Sequence, residues 1–136
     1  MATSRFTVFV VDDFAPFRRM ISSILEEVED VQIIGEASDG LEAIQRAGEL
    51  RPDLILLDIG LPKLDGIEAA RGIHRIFPSA RMIFVSQETS AAVVREALNT
   101  GAQGYVTKED AWRDLPVAVK VVLQGANFVS YRLRCD

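Results

Sequence analysis

Short apolar runs and stretches of helical spacing alternate along the chain from residue 6 to residue 124. Phe6 to Val11 is a β-rich run. Pro16 to Val28 sets Met20, Ile21, Ile24, Leu25 and Val28 at helical spacing, with Pro16 suited to a first turn. Val31 to Ala37 reads as a second strand. Leu41 to Leu50 reads as a helix with Leu41, Ile44, Ala47 and Leu50 in one stripe. Leu54 to Leu57 is a third strand, unbroken in its apolar character and so buried on both faces. Gly66 to Phe77 is helical, Arg81 to Val85 extended, and Ala91 to Asn99 helical up to Gly101. Gly104 to Thr107 is a short strand, and Leu115 to Gln124 a last helix stopped by Gly125. Five strand–helix pairs in this order predict an α/β fold built on a parallel sheet with right-handed crossovers. Residues 1–125 form one domain on this reading. Ala126 to Asp136 shows no pattern and is expected to be a C-terminal tail or the start of a linker.

Composition narrows the class. A chain of 136 residues suits one domain, and one of that size buries roughly 70% of its unfolded surface. The mix of 49% hydrophobic and 26% charged residues is that of a globular protein. A net charge of -5 argues against a domain devoted to binding a phosphate backbone. No apolar run approaches the roughly 20 residues of a membrane span, and the start lacks a signal peptide's apolar segment. A soluble cytoplasmic protein is expected. Cys135 stands alone and cannot form an internal disulfide, and His74 is the only histidine, so a multi-histidine metal site is excluded.

The chemistry sits at the strand ends. In "LILLDIGLPKLDG" the buried run Leu54 to Leu57 ends on Asp58, and burying an unpaired carboxylate is costly. Open parallel sheets bind ligands beyond the carboxyl ends of their strands. Asp12 and Asp13 follow the first strand, Asp58 the third, Ser86 the fourth and Lys108 the fifth. Any one of these reads as a cap or turn residue, or a solvated lysine; their coincidence at one sheet edge does not. Three neighbouring carboxylates repel, and a hard divalent cation relieves them. All-oxygen ligands with room for water and phosphate oxygens suit Mg²⁺. Asp58 is then a carboxylate nucleophile, with Lys108 and the metal facing a transferring phosphoryl group.

These residues, in the strings "VVDD", "LLDIGLPKLDG", "FVS" and "GYVTK", resemble the receiver domains of two-component response regulators over residues 6 to about 125. Pro62 and Gly66 lie four and eight positions after Asp58, as in that family. The resemblance implies a flavodoxin-like doubly wound (βα)5 fold with a five-stranded parallel sheet in the order 2-1-3-4-5. It implies that Asp58 accepts phosphoryl from a sensor histidine kinase. It places Asp13, Asp58 and the Gly60 carbonyl on Mg²⁺, with Asp12 acting through water, and Lys108 and Ser86 on the phosphoryl group. Tyr105 is then an aromatic switch that turns inward as Ser86 moves; ordinary packing is its other reading. Residues 104 to 130 resemble receivers of NarL/LuxR-class transcription factors. A helix-turn-helix domain has no room here, which leaves a stand-alone receiver or one separated from its effector. Specific DNA binding by this chain is not expected; protein contacts are, including a possible homodimer.

Departures from the family pattern bear on rates. Gln87 replaces a small residue after Ser86, and Gly60 lends no side chain to orient or exclude water. Glu109 stands where many receivers have Pro, so a cis Lys108–Glu109 peptide is not expected. The rival classes fare poorly. "VVDDFAP" has no glycine for a Rossmann turn. Neither Ala15 nor Gly60 supplies the second Asp of a haloacid dehalogenase-type phosphatase. A pseudo-receiver acting as a binding module would lack Asp58, Asp13 or Lys108, and all are present. Asp65 is expected to serve the turn and helix start before Gly66, and His74 to be a solvated helix residue.

Overall fold

The structure, a computed structural model, describes residues 5–134; Cys135 lies outside them. Strands β1 (Phe6–Val11), β2 (Val31–Ala37), β3 (Leu54–Leu57), β4 (Arg81–Ser86), β5 (Gly104–Thr107) and β6 (Phe128–Val129) form one sheet in the order β2-β1-β3-β4-β5-β6. Every pairing is parallel. Helices α1 (Ala15–Glu26), α2 (Gly40–Leu50), α3 (Gly66–Ile76), α4 (Ala91–Leu98) and α5 (Ala111–Leu123) make the crossovers. Alternation along the strands splits the core in two. Phe9, Val11, Ile55, Leu57, Met82, Phe84 and Tyr105 face α2, α3 and α4. Val8, Val10, Leu54, Leu56, Ile83, Val85 and Val106 face α1 and α5 through Ile21, Leu25, Leu115, Val119 and Val122. β3, the run read as buried on both faces, is buried along its whole length.

Asp39, Asp65 and Ser90 accept the backbone N–H three residues ahead and cap α2, α3 and α4. Asp65 therefore has the helix-start role expected of it. His74 is exposed on α3. Among the described residues no helix is long and apolar enough to cross a membrane.

Two expectations need correction. The sheet has six strands, not five, with β6 beyond β5. Phe128 pairs with Gly104 and Val129 with Tyr105. Two residues are too few to show a period, so the strand lay hidden in the patternless stretch after Gln124. The last helix begins at Ala111, four residues ahead of the expected Leu115, and carries Pro116 inside it. Pro116 removes the hydrogen bond to the carbonyl of Trp112. Trp112 is 74% exposed, so water reaches this turn and the helix tolerates the ring. No peptide bond among the described residues is cis, Lys108–Glu109 included.

Candidate functional site

The carboxyl ends of β1, β3, β4 and β5 bring Asp12, Asp58, Ser86 and Lys108 to one edge, with Asp13 beside Asp12. The Asp58 N–H donates to the Val11 carbonyl at 3.1 Å and the Asp12 N–H to the Ala37 carbonyl at 3.0 Å. Ladder bonds thus continue past the strand ends and hold both residues at the lip of the core. Asp12 is 1% exposed and Asp58 7%. Lys108 Nζ lies 2.8 Å from Asp12 Oδ2 and 3.0 Å from Asp58 Oδ2, so one ammonium is shared by two buried carboxylates. Burial raises Asp12 above the usual carboxylate range, against the pull of Lys108 and the Phe14 N–H. Burial also pulls Lys108 down, but its bonds to Asp12 and Asp58 win and leave it above an ordinary lysine. The Phe17 ring lies under Lys108 Nζ at 4.4 Å, an attraction between cation and ring face. Phe17 was missed in the sequence; its signal is its place one helical turn after Asp13.

The acidic group has room for a cation. Asp12, Asp13 and Asp58 each offer a carboxylate oxygen within 4.8 Å of the others. Asp12 is already committed, Oδ1 to the Phe14 N–H at 2.8 Å and Oδ2 to Lys108. The Asp58 carboxylate accepts the Ile59 N–H at 2.7 Å through Oδ1. Asp13 is exposed and makes no side-chain hydrogen bond or ion pair among the described residues. It is not a helix cap either, since Phe14 holds the capping position before α1 and no side chain caps that end. A hard, all-oxygen site with one uncommitted carboxylate suits Mg²⁺. Gly60, two residues after Asp58, is exposed.

Ser86 and Tyr105 meet at Glu88. Ser86 Oγ accepts the Glu88 N–H at 3.1 Å, and the Tyr105 hydroxyl donates to the Glu88 carbonyl at 2.8 Å. Tyr105 is fully buried, with its ring centroid 6.1 Å from that of Phe84. Burial raises its hydroxyl above the usual tyrosine range. Gln87 is exposed between them in sequence.

Gly66 explains a spacing that the sequence left bare. A Cβ there would stand 1.8 Å from the Asp58 carbonyl oxygen, and the Gly66 N–H donates to the Ile59 carbonyl at 2.7 Å. The peptide carrying Asp58 is therefore seated on a residue with no side chain. Gly66→Ala is expected to destabilise the protein by about 2 kcal/mol or more, read as a lower urea midpoint. An unchanged midpoint would contradict this packing.

A sequence model of the response regulator receiver domain matches residues 8–120. The chain is 32% identical over 126 residues to the transcriptional regulatory protein DegU of Brevibacillus brevis, covering 93% of this chain and 53% of DegU. It is 45% identical over 103 residues to the protein-glutamate methylesterase/protein-glutamine glutaminase of Thermotoga maritima, covering 74% of this chain and 30% of that protein. A LuxR-family two-component response regulator from an Aurantimonas species superposes with a TM-score of 0.91 at 30% identity, covering 96% of this chain and 93% of that one. The isolated receiver of RcsB from Salmonella enterica, solved with a phosphomimetic, superposes with a TM-score of 0.90 at 27% identity and 96% coverage of both. The chain thus spans about half the length of DegU and under a third of the methylesterase.

Proposed function

This chain belongs to the response regulator receiver domain family, and we propose that it is a phosphorylation-driven switch whose Asp58 takes a phosphoryl group from a sensor histidine kinase. The observation that carries this reading is the carboxylate of Asp58, held at the lip of the core with Lys108 Nζ at 3.0 Å and two further carboxylates beside it. An oxygen of Asp58 attacks phosphorus as the P–N bond to the kinase histidine breaks, and the imidazole keeps the electron pair and takes a proton. Lys108 exchanges a carboxylate contact for the phosphoryl oxygens. The Ser86 hydroxyl, whose oxygen is held by the Glu88 N–H, points its proton at the same oxygens. Asp13, Asp58 and the Gly60 carbonyl would hold Mg²⁺, with Asp12 through water, and the ion would supply neutralisation of the carboxylates and of the incoming charge. Because Ser86 and Tyr105 share Glu88, movement of one is transmitted to the other through a single residue. Gln87, exposed next to Ser86, narrows access to the phosphoryl group, and Gly60 lends no side chain to orient or exclude water there.

The output is protein contact through α4, β5 and α5, whether with a second copy of this chain or with an effector domain, and DNA contact is left to such a domain. Relatives as different as DegU and the methylesterase match this chain over only part of their length, which supports a common switch serving separate outputs; its place on this reading is the cytoplasm. The receiver on this reading extends past the expected boundary at residue 125, because β6 (Phe128–Val129) joins its sheet and Ser130 and Arg132 bond back to Thr107 and Asp110. No observation favours a pseudo-receiver.

Metal dependence is the experiment that tests the reading. A chelator should abolish labelling of the protein by a small phosphodonor. Asp12→Ala should weaken Mg²⁺ binding by about tenfold, the range for outer ligands. Asp13→Ala should weaken it further, because only Asp13 has an uncommitted carboxylate. Equal labelling with and without chelator would sink the metal role.

A further inference from the structure

Lys108 is the first residue after β5, so its position depends on what holds the end of that strand. β4 holds one side. On the other side the β6 ladder ends at Val129, and Ser130 takes over. The Ser130 N–H donates to the Tyr105 carbonyl at 2.9 Å. Ser130 Oγ accepts the Thr107 N–H at 3.1 Å and donates to Asp114 Oδ2 at 2.8 Å. A side-chain oxygen thus stands where the next backbone carbonyl of the ladder would be. Ser130 is fully buried, and so, nearly, is Thr107. Beyond Lys108 the hold continues. Thr107 Oγ1 donates to Asp110 Oδ2 at 3.1 Å. The Arg132 guanidinium forks onto Asp110 at 2.6 and 3.1 Å and reaches Glu109 at 3.1 Å. Residues on both sides of Lys108 are therefore pinned by the segment 128–132.

We propose that Ser130 is a positioning residue for Lys108, and that the Arg132–Asp110 fork is the latch keeping it in place. The segment after α5 is then a control point: drawing it off β5 slackens the peptide that carries Lys108 and slows phosphoryl transfer. This rests on the reading that Lys108 faces the transferring phosphoryl group at Asp58. Ser130 makes no hydrogen bond to Asp12, Asp13, Asp58 or Lys108 among the described residues, so it acts through its bonds to β5 and to Asp114 of α5. Lys108 needs this hold because its Nζ must satisfy two carboxylates at once, and small displacements of a reacting constellation are costly to rate.

The test compares the 136-residue chain as wild type, Ser130→Ala and Arg132→Gln for Mg²⁺-dependent phosphorylation by a small phosphodonor. Mg²⁺ affinity, half-saturating donor concentration and urea midpoint are measured on the same samples. Ser130→Ala should lower the saturating rate about tenfold, and Arg132→Gln by a smaller factor. Mg²⁺ affinity and half-saturation should stay within twofold of wild type, by roughly the spread between independent sites. A purely structural role would instead scale the rate with the folded fraction. Should Ser130→Ala fail to fold, Arg132→Gln, whose side chain is half exposed, decides the matter by the same split. Wild-type rates in the folded variants, with normal labelling of the wild type, would overturn the positioning role and leave the receiver reading standing. A wild type that takes no phosphoryl group would overturn both.

Discussion

Replacing Lys108 with alanine should slow phosphorylation of Asp58 by about 10²- to 10³-fold, the cost of removing one preorganised donor from a site of developing charge. The same substitution should tighten Mg²⁺ binding. The ammonium occupies Asp12 Oδ2 and Asp58 Oδ2 at 2.8 and 3.0 Å, so it competes with any cation for those oxygens. Its loss frees them and leaves two carboxylates in mutual repulsion, which a divalent ion relieves. Opposite signs in rate and metal affinity separate a catalytic lysine from one that merely holds the fold. The protein should survive the change, because Asp12 keeps its bond from the Phe14 N–H and Asp58 its bond from the Ile59 N–H. Stopped-flow labelling and calorimetric titration of Mg²⁺ check the pair of outcomes. A rate within a few-fold of wild type would remove Lys108 from the mechanism.

The site was legible in the sequence because its residues are the punctuation of apolar runs. Leu54 to Leu57 declares a strand, and the carboxylate that ends it must lie at the ligand-binding edge of a parallel sheet. Asp12, Ser86 and Lys108 follow by the same logic. Asp13 and Asp12 are neighbours with opposite fates, one exposed and uncommitted, the other buried between Lys108 and the Phe14 N–H. No pattern of residue types distinguishes them. The helix α5 starts at Ala111 rather than Leu115, because Ala111 packs into the core while Trp112 to Asp114 carry no apolar stripe to announce it. β6 was illegible for a different reason. Two residues have no period, and their pairing with β5 is stabilised from outside the strand, by Ser130 beneath Thr107 and Arg132 on Asp110. Contacts of that kind join positions more than twenty residues apart and leave no local trace. Gly66 was visible only as a spacing; its cause is the Asp58 carbonyl resting where a Cβ would be.

The largest effect expected is at Asp58 itself. Asp58→Asn keeps the shape and the hydrogen-bonding oxygen but removes the negative charge and the nucleophile. Asp12 and Asp13 remain beside it, so the substitution also asks whether phosphorylation belongs to one carboxylate or to the group. Asp12 is 1% exposed against 7% for Asp58, and Asp13 makes no bond to Lys108 among the described residues, so neither is equipped to take over. The direct measurement is intact mass after incubation with Mg²⁺ and a small phosphodonor. Wild type should gain the mass of one phosphoryl group and lose it again in hydroxylamine, as an acyl phosphate does. Asp58→Asn should gain nothing. An equal gain in Asp58→Asn, or a wild type that gains none, would contradict the account.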